Sequence, residues 1–228
     1  MQEFAAAFSQ AFQLIIAFDA DLMEIIGLSL RVTLVAVVCA CAGGFPLGAL
    51  LAVGRFPGRG AAIILVNALM GLIVYMALSR AGPFGVLELL YTPAAMIIAQ
   101  TILITPIVAA LTQQVIHDLN AEYDEYLRSL RIAGWDKIRT LLWDARFSLM
   151  TAALAGLGRA LAEVGAVLIV GGNIDHVTRV MTTAIALETS KGELALALGL
   201  GIILLVLAIA INAALMGVRS RAERLAYV

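Results

Sequence analysis

Two ionisable residues lie inside an apolar stretch in the second half of the chain. Arg159 and Glu163 are four residues apart, so on one continuous helix they would share a face and could form an ion pair. Ionisable side chains at membrane depth are costly, and they usually face the interior of a helix bundle or a water-filled cavity. The pair is therefore a candidate for an interior polar site. The alternative is a structural ion pair that holds the register of the helices and meets no ligand.

Neutral hydrogen-bond donors are concentrated just downstream. Thr182 and Thr183 supply hydroxyls, and Gly171, Gly172 and Asn173 supply amide and backbone groups. Such donors suit an anion with several lone pairs. Because the donors carry no charge, binding would be weak enough for the ion to leave, as conduction requires. The alternative is that Thr182 and Thr183 cap a short helix.

Motifs for catalysis, nucleotide binding or metal binding do not occur in the sequence. No G-x-x-x-x-G-K-[ST] motif is present to hold ATP, and no Ser-His-Asp arrangement suggests a nucleophile. His117 and His176 are isolated in the sequence and lack the spacing of a zinc site. We therefore expect no catalytic residue, metal or cofactor in this chain. If the chain moves a solute uphill, the energy must come from a partner.

A strongly polar segment at 117–146 interrupts the apolar chain. It carries five of the fifteen Lys and Arg residues and six of the sixteen Asp and Glu residues. A charge at bilayer depth costs about 2.5–3.5 kcal/mol on insertion scales, so this insert must lie in water or against a soluble partner. We interpret Asn120 as the N-cap of one helix, Gly134 as its stop and Asp136 as the cap of a second helix. Such an insert can dock in a groove of another protein; alternatively, it packs only on its own bundle.

The composition predicts an all-α membrane protein. Of the 228 residues, 62% are hydrophobic and 14% are charged, whereas a soluble domain is about half apolar and a quarter charged. A net charge of −1 gives no reason to expect nucleic acid as a partner. A single transmembrane domain over 1–228 would begin with an amphipathic helix at 3–23. Five predicted spans follow, at about 24–54, 61–78, 92–116, 147–172 and 194–218.

The distribution of positive charge predicts the orientation. Ten of the fifteen Lys and Arg residues lie in 55–59, in the 117–146 insert and in the tail from Arg219, which would share one side of the membrane. Three lie in the segments that would face the other side. The positive-inside rule then places the insert and the C-terminus in the cytoplasm and the N-terminus outside.

The insert resembles a known family motif. Glu125-Tyr126-Leu127-Arg128-Ser129-Leu130, in a polar loop before the last two spans, is similar to the EAA loop of ABC importer permeases. The resemblance implies a coupling helix that sits in a cleft of a cytoplasmic ATPase subunit. The family usually has alanines at the positions of Tyr126 and Leu127, and its glycine would fall at Arg131. The expected coupling residues are Glu122, Glu125, Arg128, Leu130, Arg131, Gly134 and Trp135.

A wider resemblance covers nearly the whole chain. The segments GLGRALAEVGAVLIVGGNI at 156–174 and VMTTAIALETSKGELALALGLG at 180–201 resemble the tungstate-type permease subunits of the molybdate, tungstate and sulfate importer group. This implies a type I permease fold, two copies of the chain in the lipid of a prokaryotic cell membrane, cytoplasmic ATPase subunits that bind ATP, and an external oxyanion-binding protein. One departure is that a Pro-Pro-Val-Val-rich piece, usual in the second span, is missing near 70–73.

These observations together favour an ATP-driven importer of a tetrahedral oxyanion, with tungstate ahead of molybdate and sulfate. The chain itself would be a pore subunit and not an enzyme. Arg159, Glu163, Thr182 and Thr183 are then the expected pathway residues, although Glu163 suits an oxyanion route only if its carboxylate turns away. The alternative is a secondary transporter or channel driven by an ion gradient, for which the sequence shows no clear internal repeat.

Overall fold

The computed structural model describes residues 20–53, 89–132 and 134–226, together with 13, 16, 17 and 76. All regular secondary structure in this part of the chain is α-helical. The helices there are α1 (Ala20–Val53), α2 (Pro93–Ser129), α3 (Gly134–Asp144), α4 (Arg146–Leu161), α5 (Gly165–Gly171), α6 (Met181–Lys191) and α7 (Leu194–Ala226).

Three of the described helices are long and apolar enough to cross a membrane. They are α1, α2 and the Leu194–Ala214 part of α7, and the bent pair α4 and α5 makes a fourth if it forms one span. These helices correspond to four of the five predicted spans. The predicted span at 61–78 and the departure near 70–73 lie outside the described residues, as does most of the predicted amphipathic helix at 3–23. Five spans and a single domain over 1–228 therefore remain predictions.

The third predicted span and the start of the polar insert form one helix. α2 runs without interruption from Pro93 to Ser129, so Asn120 lies in its interior and the predicted N-cap there is wrong. The sequence from 107 to 129 contains no Gly or Pro that would end the helix. The change from apolar to polar residues marks a change of surroundings and not a boundary of secondary structure.

The fourth predicted span is broken. α4 ends at Leu161 and α5 begins at Gly165, where the sequence predicted continuous helix over 147–172. Glu163 lies in the break, and its Oε1 accepts a hydrogen bond from the backbone N–H of Ala166 at 3.0 Å. A carboxylate in an apolar run is thus satisfied by a backbone donor that the helix start leaves unpaired. The argument that Arg159 and Glu163 share a helix face fails, because the helix ends between them.

The chain divides into two compact units, each assembled from separated segments. The first comprises Met1–Val35, Met70–Gln100 and Leu161–Ile211, and the second comprises Ala36–Leu69, Thr101–Ala160 and Asn212–Val228. Among the described residues, the first unit buries apolar clusters centred on Met181 and Leu200 and on Met96 and Val167. The described part of the second unit buries a cluster of Ala49, Ile116, Leu127, Ile138, Leu141, Ala145 and Leu149.

Small residues allow α1 and α2 to approach closely within the second unit. A methyl group added at Gly44 would lie 2.9 Å from the Val108 side chain, and one added at Gly48 would collide with the backbone oxygen of Ala109. Gly43 has open space in the same position. The Gly44 and Gly48 pair therefore acts as a small-xxx-small helix contact.

Candidate functional site

The end of α2, a short turn and α3 form a helix–turn–helix in the second unit. Arg131 has a φ of 56°, in the left-handed region that favours glycine. Its backbone N–H donates to the Arg128 carbonyl at 3.0 Å, and the Ile132 N–H donates to the Leu127 carbonyl at 3.0 Å. This pair of bonds is a Schellman motif, which closes the carbonyl end of α2. It occurs at the position where the family's EAA loop has glycine.

The predicted stop at Gly134 is displaced from the true end of the helix. α2 ends at Ser129, and Gly134 is the first residue of α3, with a φ of 61°. Asp136 lies in the first turn of α3, where its negative charge suits the helix dipole. The left-handed residue that ends α2 is Arg131 and not a glycine. Because helix ends are recognised in sequence by a glycine at this position, the end of α2 was predicted at Gly134 instead.

An ion pair and an apolar cluster hold the two helices together. Asp124 on α2 contacts the Lys137 ammonium on α3 at 3.0 Å and the Arg128 guanidinium at 2.8 Å. Leu127 and Ile138 lie in the buried cluster of the second unit. The insert therefore packs on its own unit through its inner face, in partial agreement with the alternative drawn from the sequence, and its outer face is left open.

The outer face contains the predicted coupling residues. Tyr126 is 66% exposed and Leu130 is 52% exposed, whereas Leu127 between them is buried. Tyr126 belongs to this face although the sequence could not separate it from the buried Leu127. All seven predicted coupling residues are exposed: Glu122, Glu125, Arg128, Leu130, Arg131, Gly134 and Trp135.

The first unit brings together two of the four predicted pathway residues. The Thr182 hydroxyl on α6 donates to the Glu163 carbonyl at 3.2 Å. The same residue, Glu163, caps the start of α5 through its carboxylate. Thr182 therefore ties the break between α4 and α5 to the beginning of α6. Arg159 lies in the last turn of α4, is exposed and belongs to the second unit.

Thr183 has the capping role that the sequence offered as an alternative. It is buried, and its hydroxyl accepts a hydrogen bond from the Val180 N–H at 3.1 Å and donates to the Val180 carbonyl at 3.0 Å. The next N–H, of Met181, donates to the Ser29 hydroxyl of α1 at 2.7 Å. These donors at the start of α6 are thus occupied by protein. Ser29 was missed from sequence, where its only signal is a hydroxyl in an apolar helix.

The donors predicted at 171–173 form part of a tight turn. The Thr178 hydroxyl donates to the Gly171 carbonyl at 2.5 Å and accepts from the Ile174 N–H at 2.9 Å. Gly172 and Asn173 both have positive φ. The Asn173 side-chain oxygen is buried and has no hydrogen-bond partner among the described residues. This segment is therefore built around Thr178, which the sequence did not single out.

His176 is not isolated in the folded chain. Its Nδ1 lies 2.9 Å from an oxygen of Glu24 at the beginning of α1. The hydrogen bond to Glu24 and the nearby Asp175 and Asp21 carboxylates raise the pKa of His176 above its ordinary value. Donor atoms of Asp21, Glu24 and His176 all lie within 4.8 Å of one another, a separation that a metal ion could bridge, although all three side chains are exposed.

Comparison with known proteins decides the family. A tungstate uptake system permease protein of Peptoclostridium acidaminophilum is 35% identical over 226 residues, which cover 96% of this chain and 99% of the relative. The chain belongs to the ABC transporter permeases of the molybdate, tungstate and sulfate group. A probable anion ABC transporter permease protein of Haloferax volcanii is 35% identical to this permease over 76% of the chain and 80% of the relative. A second tungstate uptake system permease protein, from Campylobacter jejuni, is 42% identical over 55% of the chain and 53% of the relative. A scan against protein-family models found no match.

Family membership establishes the general role of the permease. It is a multi-pass cell-membrane protein and the non-catalytic transmembrane component of an ABC oxyanion importer. ATP is bound by a partner ATPase, and permeases of this family have no cofactor of their own. An ATPase and a binding protein are therefore its partners.

Proposed function

We propose that the permease conducts tungstate in an ATP-driven importer. The observation that carries this proposal is the 35% identity over 99% of the length of a tungstate uptake system permease protein. The second tungstate uptake relative supports the same substrate. More distant relatives named for molybdenum and sulfate transport are 28% and 25% identical, so tungstate is preferred to both.

We further propose that the exposed end of α2 and the turn after it dock in the ATPase. The contact surface would comprise Glu122, Glu125, Arg128, Leu130 and Arg131, continuing to Gly134 and Trp135. The proposal is supported by the exposure of these residues and by the anchoring of the inner face through Asp124, Lys137 and Leu127. A rigidly held helix end can transmit a movement of the ATPase to α2, and through α2 to the membrane.

The assembly would contain two copies of the permease, each with five spans. The N-terminus would lie outside and the C-terminus in the cytoplasm, as the positive-inside rule predicts. Glu163 and Thr182 would contribute to the pathway through the broken segment between α4 and α5, because non-helical backbone at membrane depth is tolerated where it lines a cavity. Thr183 would support this segment as a helix cap, and Arg159 would supply positive potential.

Transport by the reconstituted system tests the proposed substrate. Vesicles would contain the permease, its ATPase and its binding protein, with ATP on the ATPase side, and uptake of tungstate, molybdate and sulfate would be measured separately. We expect tungstate uptake that requires all three proteins and exceeds uptake of the other two ions. Tungstate uptake by the permease alone, driven by an ion gradient, would contradict the proposal.

A charge reversal tests the docking surface. We expect Glu125→Lys to weaken binding of the ATPase by roughly tenfold or more, because a charge pair in a protein interface is worth about 1.5 kcal/mol or more. Asp144→Lys, which reverses an exposed charge at the other end of α3, is the matched control and should bind normally. Equal affinity of both variants for the ATPase would exclude this position from the interface.

A further inference from the structure

Both tryptophans of the chain lie on the outer surface of α3. Trp135 and Trp143 are eight residues apart and are 62% and 72% exposed. Arg139 is midway between them and is also exposed. Residues spaced by four share one side of a helix, so the three side chains form a stripe. Two large exposed aromatic side chains on a helix of 11 residues indicate a contact surface.

This stripe borders a groove whose lining residues are apolar apart from Arg139 and Thr140. The groove has a volume of about 690 Å³. Arg139 is the only charged residue among the described residues that line it. The Thr140 hydroxyl donates to the Asp136 carbonyl within α3. The groove is lined by Pro46, Trp135, Ile138, Arg139, Thr140, Leu142 and Trp143.

If α1 crosses the membrane as its hydropathy predicts, the groove extends from the membrane surface toward the hydrocarbon. Pro46 belongs to α1 and lies seven residues before the end of that helix at Val53, a distance of about 10 Å along the helix axis. The intervening residues are apolar or glycine. At the other side, α3 ends two residues before α4 begins, and α4 leads into an apolar segment. A soluble partner could not reach the Pro46 wall through hydrocarbon, whereas a lipid could.

An arginine beside the groove already has the arrangement of an interfacial anchor. The Arg146 guanidinium lies 5.1 Å from the ring centroid of Trp143 and 4.4 Å from that of Phe147. It also donates a hydrogen bond to the Trp143 carbonyl at 2.8 Å. Trp and Arg side chains of this kind are typical of the boundary between headgroups and hydrocarbon. The contact holds Arg146 beside Trp143 and leaves Arg139 as the cation of the groove.

We propose that this groove binds an anionic phospholipid. Arg139 contacts the headgroup phosphate, and Leu142, Trp143 and Pro46 contact the glycerol and the first acyl methylenes. The proposal requires that the permease spans the membrane and is independent of its substrate. Trp135 lies where the groove meets the proposed ATPase surface, so the test uses Trp143 and Arg139, which are outside that surface.

Quenching of tryptophan fluorescence by brominated lipids tests the proposal directly. In full-length W135F, Trp143 is the sole tryptophan and reports on the groove. The variant would be reconstituted in mixed vesicles of phosphatidylglycerol and phosphatidylcholine, with one lipid brominated at a time. We expect brominated phosphatidylglycerol to compete for the site about fivefold more effectively than brominated phosphatidylcholine, the preference that one interfacial cation provides.

Variants of Arg139 separate the headgroup contact from general lipid exposure. R139Q should reduce the fivefold preference to about one, while R139K, which keeps the charge, should retain most of it. R31Q removes an exposed positive charge of α1 outside the groove and should leave the preference unchanged. Circular dichroism and elution as a single species would verify that each variant is folded.

Four results would overturn the proposal. Absence of quenching by either lipid would show that no lipid reaches Trp143. Equal quenching by both lipids, or a preference that R139Q does not change, would show that the headgroup is not recognised. Loss of quenching on addition of the ATPase would assign the groove to that subunit. Tungstate transport is a separate measurement, so failure here leaves the proposed function standing.

Discussion

At the scale of single residues, the backbone conformation of Arg131 and the side-chain contact of His176 each lead to a testable prediction. Arg131 holds a left-handed conformation at the end of α2, where glycine costs least. His176 is held beside the carboxylate of Glu24, which is distant in sequence. The position in the fold gives Arg131 a positive φ and raises the pKa of His176. Neither property follows from the residue type alone.

Arg131→Gly should stabilise the helix–turn–helix. A residue with a side chain loses about 1 kcal/mol in the left-handed conformation relative to glycine. We therefore expect the free energy of unfolding of Arg131→Gly to exceed that of Arg131→Ala by about 1 kcal/mol, measured by denaturant titration in detergent. Both variants lack the guanidinium, so the comparison isolates the backbone. A less stable glycine variant would contradict the assignment of a Schellman motif.

The stability of the permease should depend on protonation of His176. Because the pKa of His176 is raised in the folded state, its protonated form is favoured by folding. This contribution is complete below the unfolded pKa of about 6.5 and is lost as the pH rises through the folded pKa. Glu24→Gln should move the pKa of His176 back toward its ordinary value, followed by NMR in a His117→Gln background. An unchanged His176 titration would exclude the Glu24 contact.

At the scale of helices, two features shape the packing. Small residues lie between α1 and α2, and a break separates α4 from α5. α1 and α2 pack closely because Gly44 and Gly48 have no side chain, and without water as a driving force such packing is a principal source of helix association in a membrane. The break at Glu163 is held by its own carboxylate and by Thr182. The carboxylate and the carbonyl of Glu163 thus both accept hydrogen bonds within the first unit.

Gly48→Ala should separate α1 from α2, whereas Gly43→Ala should not. The added methyl group at Gly48 would collide with the Ala109 carbonyl oxygen, a backbone atom that cannot move independently. Overpacking of this kind costs about 1–3 kcal/mol. Gly43 has no atom within 4 Å of the same position, so its alanine variant is the matched control. Thermal stability in detergent would measure both, and equal melting temperatures would contradict the close crossing.

At the scale of the whole molecule, orientation in the membrane decides which surface meets which partner. The positive-inside rule places both the proposed ATPase surface at the end of α2 and the basic C-terminal part of α7, from Arg219, in the cytoplasm. The polar turn that contains His176 would then face outward, because it follows the broken α4 and α5 segment.

Reporter fusions would test this orientation. Green fluorescent protein fused after Val228 should fluoresce, and alkaline phosphatase fused at the same place should be inactive, because these reporters work on opposite sides of the membrane. The converse is expected for fusions at the N-terminus. A pair of termini on the same side would show that the number of spans is even and would overturn the prediction of five.

The sequence alone determined the class of the protein, since hydropathy measures the cost of exposing backbone and charge to lipid, and this cost depends on local composition. It also located the polar insert, and the seven residues that it predicted for coupling are all exposed. It failed at Asn120 and at Glu163. A helix can continue from lipid into water without a cap, and a break in an apolar run is stable when Ala166 and Thr182 supply hydrogen bonds. Tertiary structure alone decided that the Met181 N–H beside the Thr183 cap meets Ser29, that Leu127 faces inward while Tyr126 faces outward, and that His176 meets Glu24. Each of these depends on contacts between segments that folding brings together, and such contacts cannot be deduced from local periodicity.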